Sequence, residues 1–302
     1  MMIFIVGIIK RDNIEIENVL IHSDELPSSF NGYRIAQFSD FHLGSLSNNP
    51  DYVEKVVRTI NSLHPDLIVF TGDLVNSRQV EASHFKDVLC RLKAPDGVYS
   101  ILGNHDYGYY YHWTNEYERV QNVEELKLFE KRIGWKLLLN EHVFLTRQKD
   151  SIAIIGIENW GRRHYGQQGD LNKALYGISS NIFSILLSHN PDFWEDKVVH
   201  TDKKENTRNV IDDENVEKFD SNKSQIINHH VKINLTLSGH THAMQMKFGD
   251  YSPSKWFYSN WNGVYCEESQ YLYVNRGVGF VILPARIGDA SPEITVIELQ
   301  NN

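Results

Sequence analysis

The chain has 302 residues, of which 41% are hydrophobic and 23% charged, an ordinary globular composition with enough apolar material to bury a sizeable core. Its 30 Lys and Arg stand against 39 Asp and Glu, a formal charge of -9 with no dense basic block, which disfavours nucleic acid as a partner and leaves a small phosphorylated molecule open. The two cysteines, Cys90 and Cys266, are far apart and in no C-x-x-C pairing, so neither a disulfide framework nor a structural zinc site is indicated.

Met1 to Ile9 is almost wholly apolar and is followed by Lys10-Arg11-Asp12. A spanning helix needs about 20 apolar residues, and a secretory signal needs a basic start that is absent here. Two readings of this segment stand side by side: a first edge strand, or the stub of a membrane anchor. Residues 1–30 are accordingly set apart as a lead segment from a domain over 31–302. From Tyr33 onward one pattern repeats, a short apolar run suited to a buried strand followed by a loop rich in Asp, His, Asn or Gly. The runs are Arg34 to Phe38, Leu67 to Phe70, Val98 to Leu102, Ile152 to Ile157, Phe183 to Leu187 and Ile233 to Leu237. Helical spacing of apolar residues predicts helices over Asp51 to Leu63, Ser83 to Leu92 and Val123 to Ile133, the last stopped by Gly134. Strand, helix, strand units with right-handed crossovers predict an α/β fold whose sheet is parallel at its start. Glu195 to Asn228 is crowded with Lys, Asp, Glu and Asn and reads as a polar insertion over about 195–228. An aromatic stretch with Trp256, Phe257, Tyr258 and Trp261 precedes strands predicted over Tyr271 to Val274 and Glu293 to Leu299.

Five of the six runs end in a loop bearing metal-binding side chains: Asp40-Phe41-His42, Gly72-Asp73, Gly103-Asn104-His105-Asp106, Ser188-His189-Asn190 and Gly239-His240-Thr241-His242. Singly, Asp-x-His or Gly-Asp is a weak signal. Ligands of open α/β sheets bind beyond the carboxyl ends of strands, so loops of this kind in one order can converge on one place.

That ordered set resembles the signature of the calcineurin-like metallophosphoesterases, and the match spans about Ile35 to His242 with no ligand position missing. The resemblance implies a four-layer αββα sandwich of two mixed sheets with the metal site at the strand C-terminal ends. It implies two divalent ions, with Asp40, His42 and His242 on the first, Asn104, His189 and His240 on the second, and Asp73 bridging both. Such a nitrogen and oxygen set suits manganese, iron, zinc, cobalt or nickel, with manganese the first choice in vitro. It further implies hydrolysis of a phosphate ester by a bridging hydroxide, His105 acting as general acid and Asp106 orienting its ring.

The loops Gly72-Asp73-Leu74-Val75-Asn76-Ser77 and Gly103-Asn104-His105-Asp106-Tyr107 depart from the spelling of the family's protein phosphatases. The lead-in through Asn31-Gly32-Tyr33 and the ending from Asn275-Arg276-Gly277 resemble a bacterial branch often anchored in membranes, which implies a membrane-associated full-length form with a soluble catalytic domain. The substrate expected is a phosphodiester or pyrophosphate on a small or lipid-linked molecule; a phosphomonoesterase is the close rival, with a non-catalytic scaffold or a nuclease behind it. Tyr107 and Tyr109, at the head of an aromatic run that continues through Tyr110, Tyr111 and Trp113, and the cations Arg162 and Arg276 are the candidate substrate residues.

Overall fold

The structure, a computed structural model, describes residues 12–46, 49–161, 167–199, 231–281 and 285–302; the apolar stretch 1–9 and the cations Arg162 and Arg163 lie outside them. The chain opens with β1 (Glu15–His22) and β2 (Tyr33–Phe38), then α1 (Pro50–Ser62) and β3 (Leu67–Phe70). Pro50 suits the first turn of α1, where no N–H is needed, and Tyr52, Val53, Val56, Val57 and Ile60 form its buried face. The helix expected over Ser83 to Leu92 is instead two short turns, α2 (Val80–Ser83) and α3 (Lys86–Leu89), because the chain breaks at Phe85 to bury that ring. After β4 (Val98–Ser100), α4 (Glu116–Arg132) begins earlier than expected: Asn115 caps it by accepting from the Glu118 N–H at 3.0 Å, and Glu116 and Glu118 favour the positive end of its dipole.

There follow β5 (Lys136–Leu137), β6 (Glu141–Arg147), β7 (Asp150–Gly156), α5 (Leu171–Leu175), β8 (Phe183–Leu187) and β9 (Leu235–Ser238). The C-terminal part holds β10 (Met246–Lys247), β11 (Gly263–Glu267), β12 (Gln270–Val274), β13 (Ile287–Gly288) and β14 (Glu293–Gln300). Two mixed sheets result, ordered β1-β14-β2-β3-β4-β5 and β11-β12-β9-β8-β7-β6, and β10 pairs with β13 apart from them. In the first, β2, β3, β4 and β5 run parallel; in the second, β12, β9, β8 and β7 do.

Alternation along the strands sorts the core into layers. Ile35, Leu67, Val69 and Ile101 of the first sheet meet Ile154, Ile185, Leu187, Leu235 and Leu237 of the second. Their neighbours Ala36, Phe38, Ile68 and Phe70 face α1 to α4, while Ala153, Ile155 and Leu186 face α5 and a helical turn at Trp194–Val199. This is the αββα sandwich.

Two sequence boundaries move. Residues 15–30 are not a separate lead segment: β1 pairs with β14 in register from Glu15 opposite Glu293 to His22 opposite Gln300, and Leu26 and Phe30 are buried between the sheets. The polar insertion begins later than 195, since Trp194, Val198 and Val199 pack under the second sheet; residues 200–230 lie outside the described residues.

Glu130 of α4 is fully buried, with the Ser100 hydroxyl donating to it. Burial is the largest cause holding its pKa well above the usual carboxylate range; the Ser100 bond opposes that and the Asp106 charge adds to it. A group whose pKa rises on folding contributes stability below its unfolded value of about 4.3, and that contribution is lost as pH rises through the folded value, at about 1.4 kcal/mol per pH unit traversed. Glu130→Gln cannot ionise, so its melting temperature should fall less than the wild type's between pH 5 and pH 8; an equal fall in both would contradict this account.

Candidate metal centre

The parallel neighbours β2, β3 and β4 in one sheet and β8 and β9 in the other all end at the same edge of the sandwich. Their five following loops carry Asp40 and His42, Asp73, Asn104, His189, and His240 and His242. Cross-sheet hydrogen bonds hold the loops together: the His240 N–H donates to both Asp40 oxygens at 3.0 and 3.1 Å, His189 Nδ1 donates to the Thr71 carbonyl at 2.7 Å, and the Gln37 amide donates to the Ser238 carbonyl at 2.9 Å.

Two overlapping clusters form. In one, His242 Nε2 lies 3.1 Å from Asp40 Oδ1 and 3.1 Å from His42 Nε2. In the other, His189 Nε2 lies 3.1 Å from Asn104 Oδ1, 3.2 Å from His240 Nδ1 and 3.2 Å from Asp73 Oδ2. Asp73 Oδ2 is also 3.6 Å from His42 Nε2, so this carboxylate faces both clusters. Ligand atoms about 2.1 Å from a common ion, at angles between octahedral and tetrahedral, stand ~3.0–3.4 Å apart, which is the spacing seen around His242 and His189; the 3.6 Å from Asp73 to His42 is slightly longer.

The donor count points to a cation. Because His189 Nδ1 gives its hydrogen to a carbonyl, its Nε2 in the neutral ring is a lone pair, facing a carboxylate oxygen, an amide oxygen and another ring nitrogen. Acceptors converge there, and a divalent ion satisfies them all. Without one a proton must serve: burial disfavours charge on His189, yet the Asp73 carboxylate overrides it and raises the pKa to about 9. Burial lowers His240 to about 3, helped by His189, and keeps His42 well below its ordinary value, so both rings are neutral. Burial alone would raise Asp40 and Asp73, but His242 and His189 respectively hold them below the usual carboxylate range. Neutral imidazoles beside ionised carboxylates form a divalent metal site.

Five of the seven side chains sit on left-handed backbone: Asp40 (φ 52°), His42 (48°), Asp73 (62°), His240 (73°) and His242 (51°). Non-glycine residues avoid this region, so the surroundings must over-determine it. Part of that comes from glycines that let loops touch. A Cβ on Gly103 would strike the Asp73 carboxylate, one on Gly72 would come within 2.9 Å of His189 Nδ1, and one on Gly239 would strike Ser39 and Asp40. Gly239→Ala should therefore weaken divalent-metal affinity about 10- to 100-fold by calorimetry. Gly134→Ala, at φ 87° with open space for a Cβ, should lower stability by about 1 kcal/mol and leave metal affinity unchanged. Equal metal affinity in the two variants would contradict the packing argument.

Beside the clusters, the His105 N–H donates to Asp73 Oδ1 at 2.8 Å, and its Nδ1 donates to the Asn76 carbonyl at 2.8 Å. The expectation that Asp106 orients the His105 ring is corrected. Both Asp106 oxygens accept backbone N–H groups, from Asp73 (2.8 Å), Leu74 (2.9 Å), Val75 (3.1 Å) and Gly103 (2.9 Å), so Asp106 clamps the Asp73 loop to the Gly103 loop. Burial and the Asp73 charge raise it to about 7 against the pull of those donors.

The aromatic run is sorted differently from the sequence expectation. Tyr107 is buried with its hydroxyl donating to Glu158 at 3.1 Å, and Tyr109 lies under the Arg119 guanidinium and accepts from Gln168. Tyr110 instead reaches the centre, stacking on His105 at 4.2 Å and accepting from Asn104 Nδ2 at 2.9 Å, which turns the Asn104 oxygen toward His189. Gly108 (φ 73°), between them, reverses the chain, and it was the available signal. Arg276 is no substrate contact: buried, it pairs with Glu293 (2.7 Å), Glu15 (2.8 Å) and Glu17 (3.2 Å). Arg162 lies outside the described residues.

A profile of the calcineurin-like phosphoesterases matches residues 33–244, which encloses all seven side chains. The chain belongs to this family. As a metallophosphoesterase it is a hydrolase acting on phosphoester bonds. It is 32% identical to the Bacillus subtilis metallophosphoesterase YkuE over 293 residues, 95% of this chain and 86% of the relative. It is 29% identical to a zebrafish (Danio rerio) transmembrane protein with a metallophosphoesterase domain, over 95% of this chain and 57% of that one. It is 30% identical to the UDP-2,3-diacylglucosamine pyrophosphatase LpxG of Chlamydia muridarum, over 55% of this chain and 60% of the relative. The metallophosphoesterase thus spans less than two thirds of the last two. Its relatives are both bacterial and animal, and no helix among the described residues is long and apolar enough to cross a membrane.

Proposed function

We propose that this hydrolase cleaves a phosphodiester or pyrophosphate on a small or lipid-linked substrate, using two divalent ions. Asp40, His42 and His242 would hold one ion, Asn104, His189 and His240 the other, and Asp73 would be shared. When bound, the ions supply a water of lowered pKa as nucleophile and positive charge for the phosphoryl oxygens. The carrying observation is Asp73, whose Oδ2 is within 3.6 Å of ring nitrogens from both clusters while its Oδ1 accepts from the His105 N–H. Similarity to LpxG, whose name describes a pyrophosphatase of a diacylated sugar nucleotide, supports the lipid-linked pyrophosphate reading.

The chain's own residues fix the geometry and handle one proton. Asp106 locks the backbone of Asp73, Leu74 and Val75 to Gly103, so the shared carboxylate and the adjacent His105 move together. His105 keeps Nδ1–H on the Asn76 carbonyl, which leaves Nε2 to exchange a proton. As imidazolium, it delivers that proton to the departing oxygen, and the Tyr110 ring stacked on it holds its plane.

Manganese-loaded protein should hydrolyse bis-nitrophenyl phosphate faster than nitrophenyl phosphate, with both activities lost on chelation and in Asp73→Asn. An acid is needed most when the leaving group is basic, so His105→Gln should lower cleavage of an alkyl phosphodiester about 100-fold or more and cleavage of the nitrophenyl diester about tenfold or less. A monoester preference would make the enzyme a phosphomonoesterase, and equal loss on both diesters would remove the acid role from His105.

A further inference from the structure

Directly after His242 the chain builds a surface that the metal centre does not use. Met244 (47% exposed), Phe248 (50%), Tyr251 (47%), Trp256 (71%) and Phe257 (55%) all project within fourteen residues. They stand on separate turns. Phe248 and Tyr251 close a tight hairpin by mutual backbone hydrogen bonds at 2.9 and 3.0 Å, and Trp256 ends a short helical turn at Pro253–Trp256 with its ring 6.4 Å from Tyr251. The arrangement is held from behind. Ala243, Met244 and Gln245 are all left-handed (φ 48°, 46° and 53°), a run that non-glycine residues avoid. It is pinned where Gln245 donates to the Ala285 carbonyl at 2.8 Å and the buried Ser252 hydroxyl donates to the Ala243 carbonyl at 2.7 Å. The fold therefore strains its backbone while keeping Met244 outside.

Charge completes the pattern. Residues 243–262 carry Lys247 and Lys255 against Asp250, in a chain whose formal charge is -9, and the neighbouring Asp289, which accepts from the Gly249 N–H at 2.9 Å, adds a second carboxylate. Both lysines line an open cavity of about 430 Å³ together with Asp250, Trp261 and Tyr265, and the Lys255 ammonium lies 5.7 Å from the Trp261 ring. Protruding Trp, Phe, Tyr and Met on separate turns, backed by lysines, suit insertion between headgroups better than a flat protein partner, because the apolar tips enter the acyl boundary while the ammonium groups meet anionic phosphates.

We infer that residues 244–257 are a docking surface for an anionic lipid bilayer, which brings the metal centre to the membrane surface. The connection to the centre is short: His240 turns Nδ1 to the metal cluster and donates Nε2–H to the Tyr258 hydroxyl at 2.9 Å, one residue beyond Phe257. The inference deepens the lipid-linked reading of the substrate and rests on it for its purpose, although its test does not depend on catalysis.

The test is sedimentation of the 302-residue chain with phosphatidylcholine vesicles, with and without phosphatidylglycerol. The chain should bind the anionic vesicles, and the paired substitutions Trp256→Ser/Phe257→Ser and Lys247→Glu/Lys255→Glu should each weaken partitioning about tenfold or more. Both should keep the wild-type melting temperature and the metal-dependent hydrolysis of a soluble nitrophenyl ester. Undiminished binding by both variants would place any membrane contact elsewhere in the chain and overturn the inference. So would absence of binding to either vesicle, or self-association of the wild type that the substitutions abolish without any vesicle binding. Vesicle binding by a wild type that hydrolyses no phosphate ester would uphold the docking surface and remove the catalytic reading alone.

Discussion

Asp40 and Asp73 are two ionised carboxylates buried at the ends of adjacent parallel strands, and most of the centre can be understood as the answer to that problem. Isolated buried carboxylates would take up protons. Here each faces imidazole nitrogens, and the shared deficit of positive charge is large enough to pull His189 to a pKa of about 9 despite its burial. Divalent cations relieve both sides at once, giving the carboxylates a counter-charge and the ring nitrogens an acceptor for their lone pairs. The strained φ angles at five of the seven side chains follow from the same need, because only tightly turned loops can aim so many donors at one volume.

The sandwich supplies the rigidity that those loops lack by themselves. Strands β2, β3 and β4 hold three loops in register and β8 and β9 hold two more, so the relative positions of Asp73, Asn104 and His189 depend on packing between sheets through Ile35, Val69, Ile185 and Leu237. Asp106 extends this into the loops. By accepting four backbone N–H groups it converts two independent turns into one body, which is why its place in the fold differs from that of a partner to His105.

Much of this was legible in the sequence because it is local. A strand followed by Gly-Asp or Gly-Asn-His-Asp carries its own geometry, and α1 announces its buried face by spacing alone. What was not legible depends on distant or conformational partners. Strand β1 alternates weakly and is defined by pairing with β14, at the far end of the chain. Arg276 looked available for a phosphate until Glu15 and Glu17, brought by that same strand, were seen to hold it. Tyr107, Tyr109 and Tyr110 are nearly interchangeable as letters, and only the left-handed turn at Gly108 decides which ring covers His105. Of the exposed side chains after His242, only Trp256 and Phe257 belong to the aromatic stretch read in sequence, and it is the left-handed backbone of Ala243 to Gln245 that keeps Met244 outside.

The two-ion centre stands or falls on how many ions the converging loops hold. Elemental analysis of protein loaded with manganese or zinc and dialysed against metal-free buffer should find two ions per chain, with Asp73→Asn losing both because the shared carboxylate serves each cluster. Retention of two ions by Asp73→Asn, or a single ion in the wild type under every metal tried, would contradict it.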